Sequence, residues 1–462
     1  MKRAIGIFVL LFAGLSAQPA SAQGLLGGLL SNLGNTVSKL LSPPPGVIVR
    51  TNLGLGGLQN ACLANGCTVQ RSLDGNLNQV FLVKPVQGLL PNLLAGVLRL
   101  VTGILDAEPD QNFAIPPNPT SHSTTSTPPP GLWDTQPVNY YGSTVTHGYV
   151  NQPAAQIIQL SQAHNTFDFS GSGIVADIDT GVDPNHPALR GTLLQGYDFT
   201  RNQPGGSEMN DISMSAPPPC SYCAAAYVNQ HTAAMLDQHT ASMLDGNGYE
   251  AFGHGTMVLG VIHLVAPTAK LLPLKAFGAN GNGSLSNILA AIYYAVQNHA
   301  NVINMSFDLT QNSTELTNAI NYAGSQHVIC VASSGNDGAN TTVYPAGLNN
   351  VMGVASTNNQ DQRSSFSNYG NQIVWVAAPG EGVITTYPFG LYAAGWGTSF
   401  SSPLVAGTAS LVLSAQPGDS QDQAAWAIAH AQFVGLNMGN GRLNVYWTLS
   451  AVNPVEGLLG DE

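Results

Sequence analysis

Short, continuous runs of apolar residues alternate with alanine-rich segments along residues 133–462 of this 462-residue chain. The apolar runs predict strands at 173–179, 270–277, 301–306, 328–332, 351–355 and 374–377. Small and apolar residues at helical spacing predict helices at 257–265, 286–298, 315–325 and 403–415. Uninterrupted apolar strands that alternate with helices are typical of a parallel sheet with helices on both faces. We therefore predict an α/β domain over 133–462.

A smaller unit precedes this domain. Strand-like runs at 47–49 and 80–83 and a helix-like segment at 93–101 predict a small α+β fold over 46–110, which ends in an acidic turn at 106–110. Clusters of Pro, Ser and Thr over 111–132 predict a linker between the two units, because this composition cannot form a packed core.

The N-terminus has the pattern of a secretory signal peptide. Lys2 and Arg3 precede an apolar stretch at 4–15, and Ala20-Ser21-Ala22 resembles a cleavage site. We predict a signal peptide at 1–22, followed by a Leu- and Gly-rich leader at 23–45. No later run reaches the roughly 18 apolar residues of a membrane span, so we expect a secreted protein, extracellular or periplasmic, without a span after cleavage.

Charge and cysteine content are consistent with export. Only 8% of residues are charged and the net charge is −12, which argues against nucleic-acid and anionic-membrane partners. Cys62 and Cys67 bracket a tight loop, and an oxidising compartment makes their disulfide plausible. Cys330 lies within an apolar run and is predicted to be an inert buried thiol.

A segment at 191–252 interrupts the α/β pattern and leaves two interpretations open. Cys220 and Cys223 form either a disulfide or, with His231 and His239, a zinc site. The histidines fall in a tandem eight-residue repeat, for which a duplicated surface loop is the favoured interpretation. We assign no metal site and no cofactor.

Three motifs carry an acid–base–nucleophile set. They are Asp179-Thr180-Gly181, Gly253-His254-Gly255-Thr256 and Gly397-Thr398-Ser399. A serine hydroxyl becomes a good nucleophile when an imidazole accepts its proton and a carboxylate orients that imidazole. Asp179 ends an apolar strand, and His254 and Ser399 are predicted at helix starts. This combination indicates acyl transfer, with hydrolysis of peptide bonds as the favoured reaction.

Two further groups fit the same chemistry. Asn336 comes shortly after the strand at 328–332, where its side-chain amide can donate to a developing oxyanion. The backbone N–H of Ser399, at a helix N-terminus, is a second candidate donor.

Residues 171–452 resemble the subtilisin family of serine proteases, which shares the order Asp, His, Ser. The resemblance implies that Asp179 orients His254, that His254 acts as general base and then acid, that Ser399 is the nucleophile and that Asn336 stabilises the oxyanion. It also implies a subtilisin-like fold and polypeptide substrates, which would pair with two edges of the chain. Substrate-binding residues implied in this way are Gly281, Gly283, Ser306, Phe307, Asp308, Ser333, Ser334 and Gly335.

Residues 46–110 resemble the ferredoxin-like inhibitory propeptide of that family. The resemblance implies a zymogen in which the chain's own propeptide is a partner in cis, and which cuts itself within or near 111–132. We expect the protein to be a monomer.

Several positions depart from the family pattern. Asp177 replaces an aliphatic residue and is expected to share a face with Asp179, with a raised carboxyl pKa or an ion pair. Asp308, with Asp337 near the same pocket, predicts a preference for basic or polar residues before the scissile bond. The insertion at 191–252 is expected over or beside the cleft. The stretch after His254 lacks a calcium-binding loop, so calcium elsewhere remains open and no site is assigned.

Two alternatives to an active serine endopeptidase stay open at this level. One is a non-catalytic binding protein on a subtilisin fold. The other is an acid-acting relative that uses a Glu–Asp pair, which the intact motif around His254 disfavours.

Overall fold

The computed structural model describes residues 46–115, 129–212, 226–227, 249 and 251–453. The predicted signal peptide and leader lie outside these residues. So do most of the linker and the cysteines and histidines of the candidate zinc site.

The first described unit is a four-stranded antiparallel sheet with two helices. Its elements follow the order β-α-β-β-α-β, which is the ferredoxin-like arrangement. They are β1 (Val47–Thr51), α1 (Gly54–Asn65), β2 (Cys67–Ser72), β3 (Val80–Pro85), α2 (Pro91–Leu98) and β4 (Ile104–Pro109). The strands lie in the order β2-β3-β1-β4, and both helices contribute to one small core.

The predicted acidic turn at 106–110 is wrong, because β4 continues to Pro109 and pairs with β1. The sequence does not reveal this strand, since its Glu108 is buried by contacts with the larger domain. Helix α1 has no counterpart among the predicted elements, because its glycines and scattered apolar residues leave little amphipathic signal. The predicted disulfide between Cys62 and Cys67 is confirmed.

The predicted linker begins with an ordered segment. Strand β5 (Asn112–Ala114) pairs antiparallel with a strand of the larger domain, so the boundary at 111 does not mark the start of unpaired chain. Three residues are too short to produce a strand pattern, and pairing with a distant edge is invisible in local sequence.

The larger domain is an eight-stranded sheet covered by helices. Its strands and hairpins are β6 (Pro137–Tyr140), β7 (Ser143–Thr146), β8 (Ile174–Asp179), β9 (Tyr197–Asp198), β10 (Gln203–Pro204), β11 (Ala226–Tyr227), β12 (Lys270–Lys275), β13 (Asn282–Ser284), β14 (Val302–Met305), β15 (Ile329–Ser333), β16 (Met352–Thr357), β17 (Val376–Pro379), β18 (Glu381–Tyr387) and β19 (Leu391–Trp396). Its helices are α3 (His147–Val150), α4 (Pro153–Ile157), α5 (Leu160–Phe167), α6 (His254–Val265), α7 (Leu285–Gln297), α8 (Thr314–Ser325), α9 (Thr398–Ala415), α10 (Gln421–Ile428) and α11 (Val445–Val452).

The strands of the large sheet run in the order β10-β9-β12-β8-β14-β15-β16-β17. All neighbouring pairs from β9 to β17 are parallel, which confirms the predicted parallel α/β sheet. Strands β8, β14 and β15 are adjacent, so their carboxyl ends open onto one edge. Functional groups collect at such an edge in open α/β sheets.

Side chains alternate between the two covered faces of the sheet. Val175 and Val302 pack with α6 and α9 on one face, whereas Ile178 and Ile303 pack with α7 on the other. The predicted buried Cys330 is confirmed in β15. Among the described residues, no helix combines the length and the apolar character needed to cross a membrane.

Part of the predicted insertion belongs to the fold itself. Strand β9 joins the main sheet beside β12, and Leu193 bridges to Leu271. Two-residue strands give no periodic signal, which is why the pattern of the sequence places the whole of 191–252 outside the sheet.

Candidate active site

Asp179 and His254 form a buried pair at the carboxyl edge of the sheet. The Nδ1 atom of His254 lies 2.7 Å and 2.8 Å from the two carboxylate oxygens of Asp179. Both side chains are almost fully buried. This contact suits the tautomer in which Nδ1–H donates to the carboxylate and Nε2 is the acceptor nitrogen. No partner for Nε2 is found among the described residues.

The turn after Asp179 and the start of α6 pack against each other. A Cβ atom at Gly255 would collide with the carbonyl oxygen of Gly181, so only glycine permits this approach. Thr180 Oγ1 accepts a hydrogen bond from the Gly255 backbone N–H at 2.9 Å. The Gly-His-Gly motif thus fixes the imidazole over Asp179.

Glu208 links the turn after Asp179 to the start of α6 through hydrogen bonds. The sequence did not predict this role. Its carboxylate accepts hydrogen bonds from Gly253 N (2.8 Å), from Thr180 Oγ1 (3.0 Å) and from the N–H and hydroxyl of Thr256. Burial raises the pKa of Glu208 to about 7 against the opposing effect of these donors. Glu208 lies within the segment interpreted as an insertion, where no local pattern marks a buried acid.

Lys275 supports the Asp179 turn from the neighbouring strand. Its buried Nζ donates at 2.7 Å to the carbonyl oxygens of Thr180 and Phe277 and to Asp211 Oδ2. A buried ammonium is tolerated when its donors are all satisfied and an anion is adjacent. The backbone next to Asp179 is therefore held by Lys275 at the Thr180 carbonyl oxygen and by α6 at the Thr180 hydroxyl.

Ser399 is the second residue of α9 and points into the same region. Its Oγ donates to the backbone oxygen of Ser306 at 3.2 Å, and the residue is 3% exposed. The neighbouring Phe400 ring lies 5.9 Å from the His254 imidazole, centroid to centroid. The predicted helix start near Ser399 is confirmed, because α9 begins at Thr398.

Asn336 is hydrogen-bonded to the residue before Ser399. Its Oδ1 accepts from the backbone N–H of Thr398 at 2.9 Å and from Thr398 Oγ1 at 3.0 Å. Because the oxygen makes these contacts, the amide nitrogen is on the opposite side of the group and can serve as a donor. Thr398 therefore anchors Asn336, a role that the Gly-Thr-Ser motif did not predict.

One of the two predicted substrate edges is engaged by the chain itself. Gly283 pairs with Phe113, and the N–H of Ile115 donates to the Gly281 carbonyl oxygen at 2.8 Å. Antiparallel pairing of this kind is how an extended peptide adds to an exposed edge.

Of the other predicted substrate residues, Ser306 contacts Ser399, whereas Ser333 contacts Phe307 and Gly335 lies beside Asp308. Ser333 Oγ donates to the Phe307 carbonyl oxygen at 3.3 Å, which joins the ends of β14 and β15. A Cβ atom at Gly335 would lie 2.9 Å from Asp308 Oδ2, so that carboxyl group borders the Gly335 backbone. The side chains of Ser306 and Phe307 are buried in the fold, so only their backbone remains for a substrate.

Asp177 lies on the same face of β8 as Asp179, as predicted. Asn304 Nδ2 donates to Asp177 Oδ1 at 2.9 Å, and no ion pair to Asp177 occurs within the described part of the chain. Burial, with Asp179 nearby, raises the pKa of Asp177 well above its usual value, which confirms the predicted direction.

Metal ligands are not assembled in the described ranges: no group of three or more His, Cys, Asp or Glu side chains that could hold an ion occurs there. The residues of the candidate zinc site lie outside those ranges.

Comparisons with known proteins identify the larger domain. The sequence profile of the Subtilase family matches residues 171–444. A thermophilic serine proteinase from Bacillus sp. (strain AK1) is 36% identical over 52% of this chain and 52% of its own length. Thermitase from Thermoactinomyces vulgaris is 34% identical over 64% of this chain and 94% of its length.

A solved structure shares the fold. The crystal structure of a lanthipeptide protease superposes with a TM-score of 0.51 at 24% identity, over 65% of this chain and 95% of that one. The matched profile covers the strands and helices that carry Asp179, His254, Asn336 and Ser399. This chain belongs to the Subtilase family of serine-type endopeptidases.

Proposed function

We propose that this protein is a secreted serine endopeptidase, made as a self-processing zymogen, that uses Asp179, His254 and Ser399 as its catalytic triad. The observation that carries the proposal is the buried hydrogen-bonded pair of Asp179 and His254, with the Ser399 helix start beside it. Secretion rests on the signal-peptide pattern at 1–22.

The proposed reaction begins with transfer of the Ser399 hydroxyl proton to His254 Nε2 as Oγ attacks the substrate carbonyl carbon. Asp179 stabilises the imidazolium that forms, because its carboxylate already accepts the Nδ1 proton. His254 then gives the proton to the leaving amine, and water hydrolyses the acyl-enzyme by the same route. The Ser399 hydroxyl must give up its hydrogen bond to the Ser306 carbonyl oxygen before it can donate to His254 Nε2.

The tetrahedral oxyanion would be stabilised by Asn336 Nδ2 and the Ser399 backbone N–H. Two features favour this assignment: the Asn336 amide is anchored through its oxygen, and the first N–H groups of α9 are not used within the helix.

Residues 46–115 act as a cis inhibitor in this proposal. Asp110 accepts from the Ser286 N–H at 2.9 Å and from its hydroxyl at 2.7 Å, at the start of α7. Glu108 accepts from Ser313 Oγ and Glu315 N at the start of α8. The two carboxylates thus hold the unit at the N-termini of two helices of the larger domain. Strand β5 then occupies the edge proposed to bind the substrate.

An ion pair adds to this interface. Arg50 makes a two-point contact with Glu315, at 3.0 Å and 2.7 Å, and also donates to Tyr293 at 3.1 Å. A bidentate contact between an arginine and a carboxylate fixes the relative orientation of the two groups. It supports a single docked orientation of the inhibitor unit.

Self-processing predicts a difference between the full-length wild type and Ser399→Ala. We expect the secreted wild type to split between Ile115 and Trp133, because the chain up to Ile115 is paired with the substrate edge. The Ser399→Ala protein is expected to keep residues 46–132 attached. N-terminal sequencing and intact mass measure both. The same cut in both proteins would contradict self-processing.

The Asp308 carboxyl group, which borders the Gly335 backbone, supports a preference for basic side chains before the scissile bond. Burial and the nearby Asp337 carboxylate raise the pKa of Asp308 to about 7. Below that pH the Asp308 carboxyl group is neutral, and above it the carboxylate attracts a cation.

We therefore expect the kcat/KM ratio of Arg over Leu peptides to rise about tenfold between about pH 6 and pH 8. In Asp308→Asn the ratio should stay constant over this range. The exposed Asp422 of α10 provides a control, since Asp422→Asn should follow wild type. A wild-type ratio that is independent of pH would refute the assignment of Asp308.

A further inference from the structure

Two buried polar atoms behind the active site have no hydrogen-bond partner among the residues that the structure describes, and they belong to side chains that already touch. They are Asp177 Oδ2 and Asn304 Oδ1. Asn304 and Asp177 are register partners on adjacent parallel strands, and Asn304 Nδ2 donates to Asp177 Oδ1 at 2.9 Å. Both residues are almost completely buried. A buried polar atom without a hydrogen bond lowers the stability of the fold. Two such atoms on contacting side chains therefore need a physical explanation.

One proton satisfies both atoms at once. A carboxylic acid and a primary amide form a cyclic pair in which the amide N–H donates to one carboxyl oxygen and the O–H donates to the amide oxygen. If the Asn304 amide is flipped, its Oδ1 and Nδ2 exchange places. The amide oxygen then faces the other carboxyl oxygen of Asp177, and a proton is still required between them. An ionised Asp177 would leave two buried acceptor oxygens facing each other without a proton between them.

The charges around Asp177 favour the neutral form. Asp179 follows it on the same face of β8, about 6.6 Å along the strand, and is paired with His254 of α6. Glu208 adds a second nearby carboxyl group. The Lys275 ammonium, on adjacent β12, is held by Asp211 and two carbonyl oxygens. The α9 helix presents to this region the backbone oxygen of Ser399 and the hydroxyl of Ser402, both in contact with Ser306 Oγ.

The Asn304 amide also connects Asp177 to the nucleophile. Its Nδ2 donates to Ser306 Oγ at 2.9 Å, and Ser306 Oγ donates to the backbone oxygen of Ser399 at 3.0 Å. Ser306 Oγ also contacts Ser402 Oγ at 3.0 Å. A continuous buried chain thus runs from Asp177 to the first turn of α9, which carries Ser399.

We propose that Asp177 is a neutral carboxylic acid that forms a cyclic two-bond pair with Asn304, and that this pair positions Ser399 through Ser306. Asp177 is a positioning residue and does not touch the substrate. The functional part rests on the proposed triad, whereas the protonation state of Asp177 does not depend on it.

Infrared difference spectroscopy tests the protonation state without activity. Full-length Ser399→Ala and Ser399→Ala/Asp177→Asn are compared at about pH 9, where groups with a pKa near 7, such as Glu208 and Asp308, are ionised. We expect a carboxylic-acid carbonyl band that is present in the first protein and absent from the second. The control Ser399→Ala/Asp308→Asn should retain the band. Identical spectra for the Asp177 pair would overturn the proposal.

Kinetics of active protein test the positioning role. The amide introduced by Asp177→Asn can form an equivalent amide–amide pair with Asn304, so this variant should keep kcat within about twofold. Asp177→Val leaves Asn304 unpaired and should lower kcat about tenfold with little change in KM. The acid limb of kcat/KM should have the same midpoint in wild type and Asp177→Asn. If Asp177 were ionised in wild type, Asp177→Asn would remove a negative charge near His254. The midpoint of the acid limb would then fall by about one pH unit.

Such a downward shift, or a kcat in Asp177→Val equal to that of wild type, would contradict the proposal. If Asp177→Val fails to fold, the spectra and the Asp177→Asn profile still decide it.

Discussion

Ser399→Ala is expected to lower kcat/KM for a peptide substrate by at least about 10⁴-fold while the protein keeps its fold. The variant removes the oxygen proposed to attack the substrate but leaves the Asp179–His254 pair and the candidate oxyanion donors in place. Loss of a triad serine is among the largest single-residue effects in catalysis, and in subtilisin, a relative, it lowers kcat by about 10⁶-fold. Peptide hydrolysis by the purified proteins and circular dichroism measure activity and fold.

Ser414, near the far end of the same helix, supplies a matched control. Its hydroxyl donates to the Ser410 carbonyl oxygen within α9, so Ser414→Ala should retain wild-type activity. A fluorophosphonate should label wild type and Ser414→Ala but not Ser399→Ala. Unlabelled, correctly folded wild type would favour the non-catalytic binding protein instead. Activity that survives Ser399→Ala and rises in acid would favour the Glu–Asp alternative.

Asn336→Leu is expected to lower kcat by about 10²- to 10³-fold with KM little changed. The amide nitrogen is proposed to contact the oxyanion, which exists only after attack, so its loss affects the transition state and not substrate binding. This magnitude is the one that removal of an oxyanion-hole asparagine produces in subtilisin. Steady-state kinetics on a peptide substrate measure both parameters.

Asn336→Asp separates the two roles of this residue. The variant keeps an oxygen that can accept from Thr398 N and Oγ1, but it replaces the proposed donor with a second acceptor. We expect it to lose at least as much kcat as Asn336→Leu and to label more slowly with a fluorophosphonate. Near-wild-type kcat in Asn336→Asp would show that the residue serves only to anchor Thr398.

Local sequence predicted the central elements of the fold because each has a mostly apolar run or an apolar helical face of its own. Strand β14 and helix α7 were placed to within one or two residues of their observed ends. The elements that local sequence did not predict depend on partners elsewhere. Strand β5 exists through pairing with β13, and β9 through pairing with β12, so neither has a periodic pattern of its own.

The same division holds at the candidate site. Motifs indicated Asp179, His254 and Ser399 as candidates, because each lies in a short motif with a recognisable backbone role. Glu208 could not be found in this way, since its partners at Thr180 and Gly253 are 28 and 45 residues distant. Asn304 likewise gained significance only when β14 was placed beside β8.

The amino-acid sequence by itself determined the class of chemistry, the parallel sheet and the acidic character of Asp177 and Asp308. These follow from residue type and local periodicity, which short-range forces dictate. Only the tertiary structure decided which carboxyl groups share a buried space, which edge receives β5 and which polar atoms are satisfied. Those outcomes depend on desolvation and on hydrogen bonds between residues far apart in the chain, and no local window contains both partners.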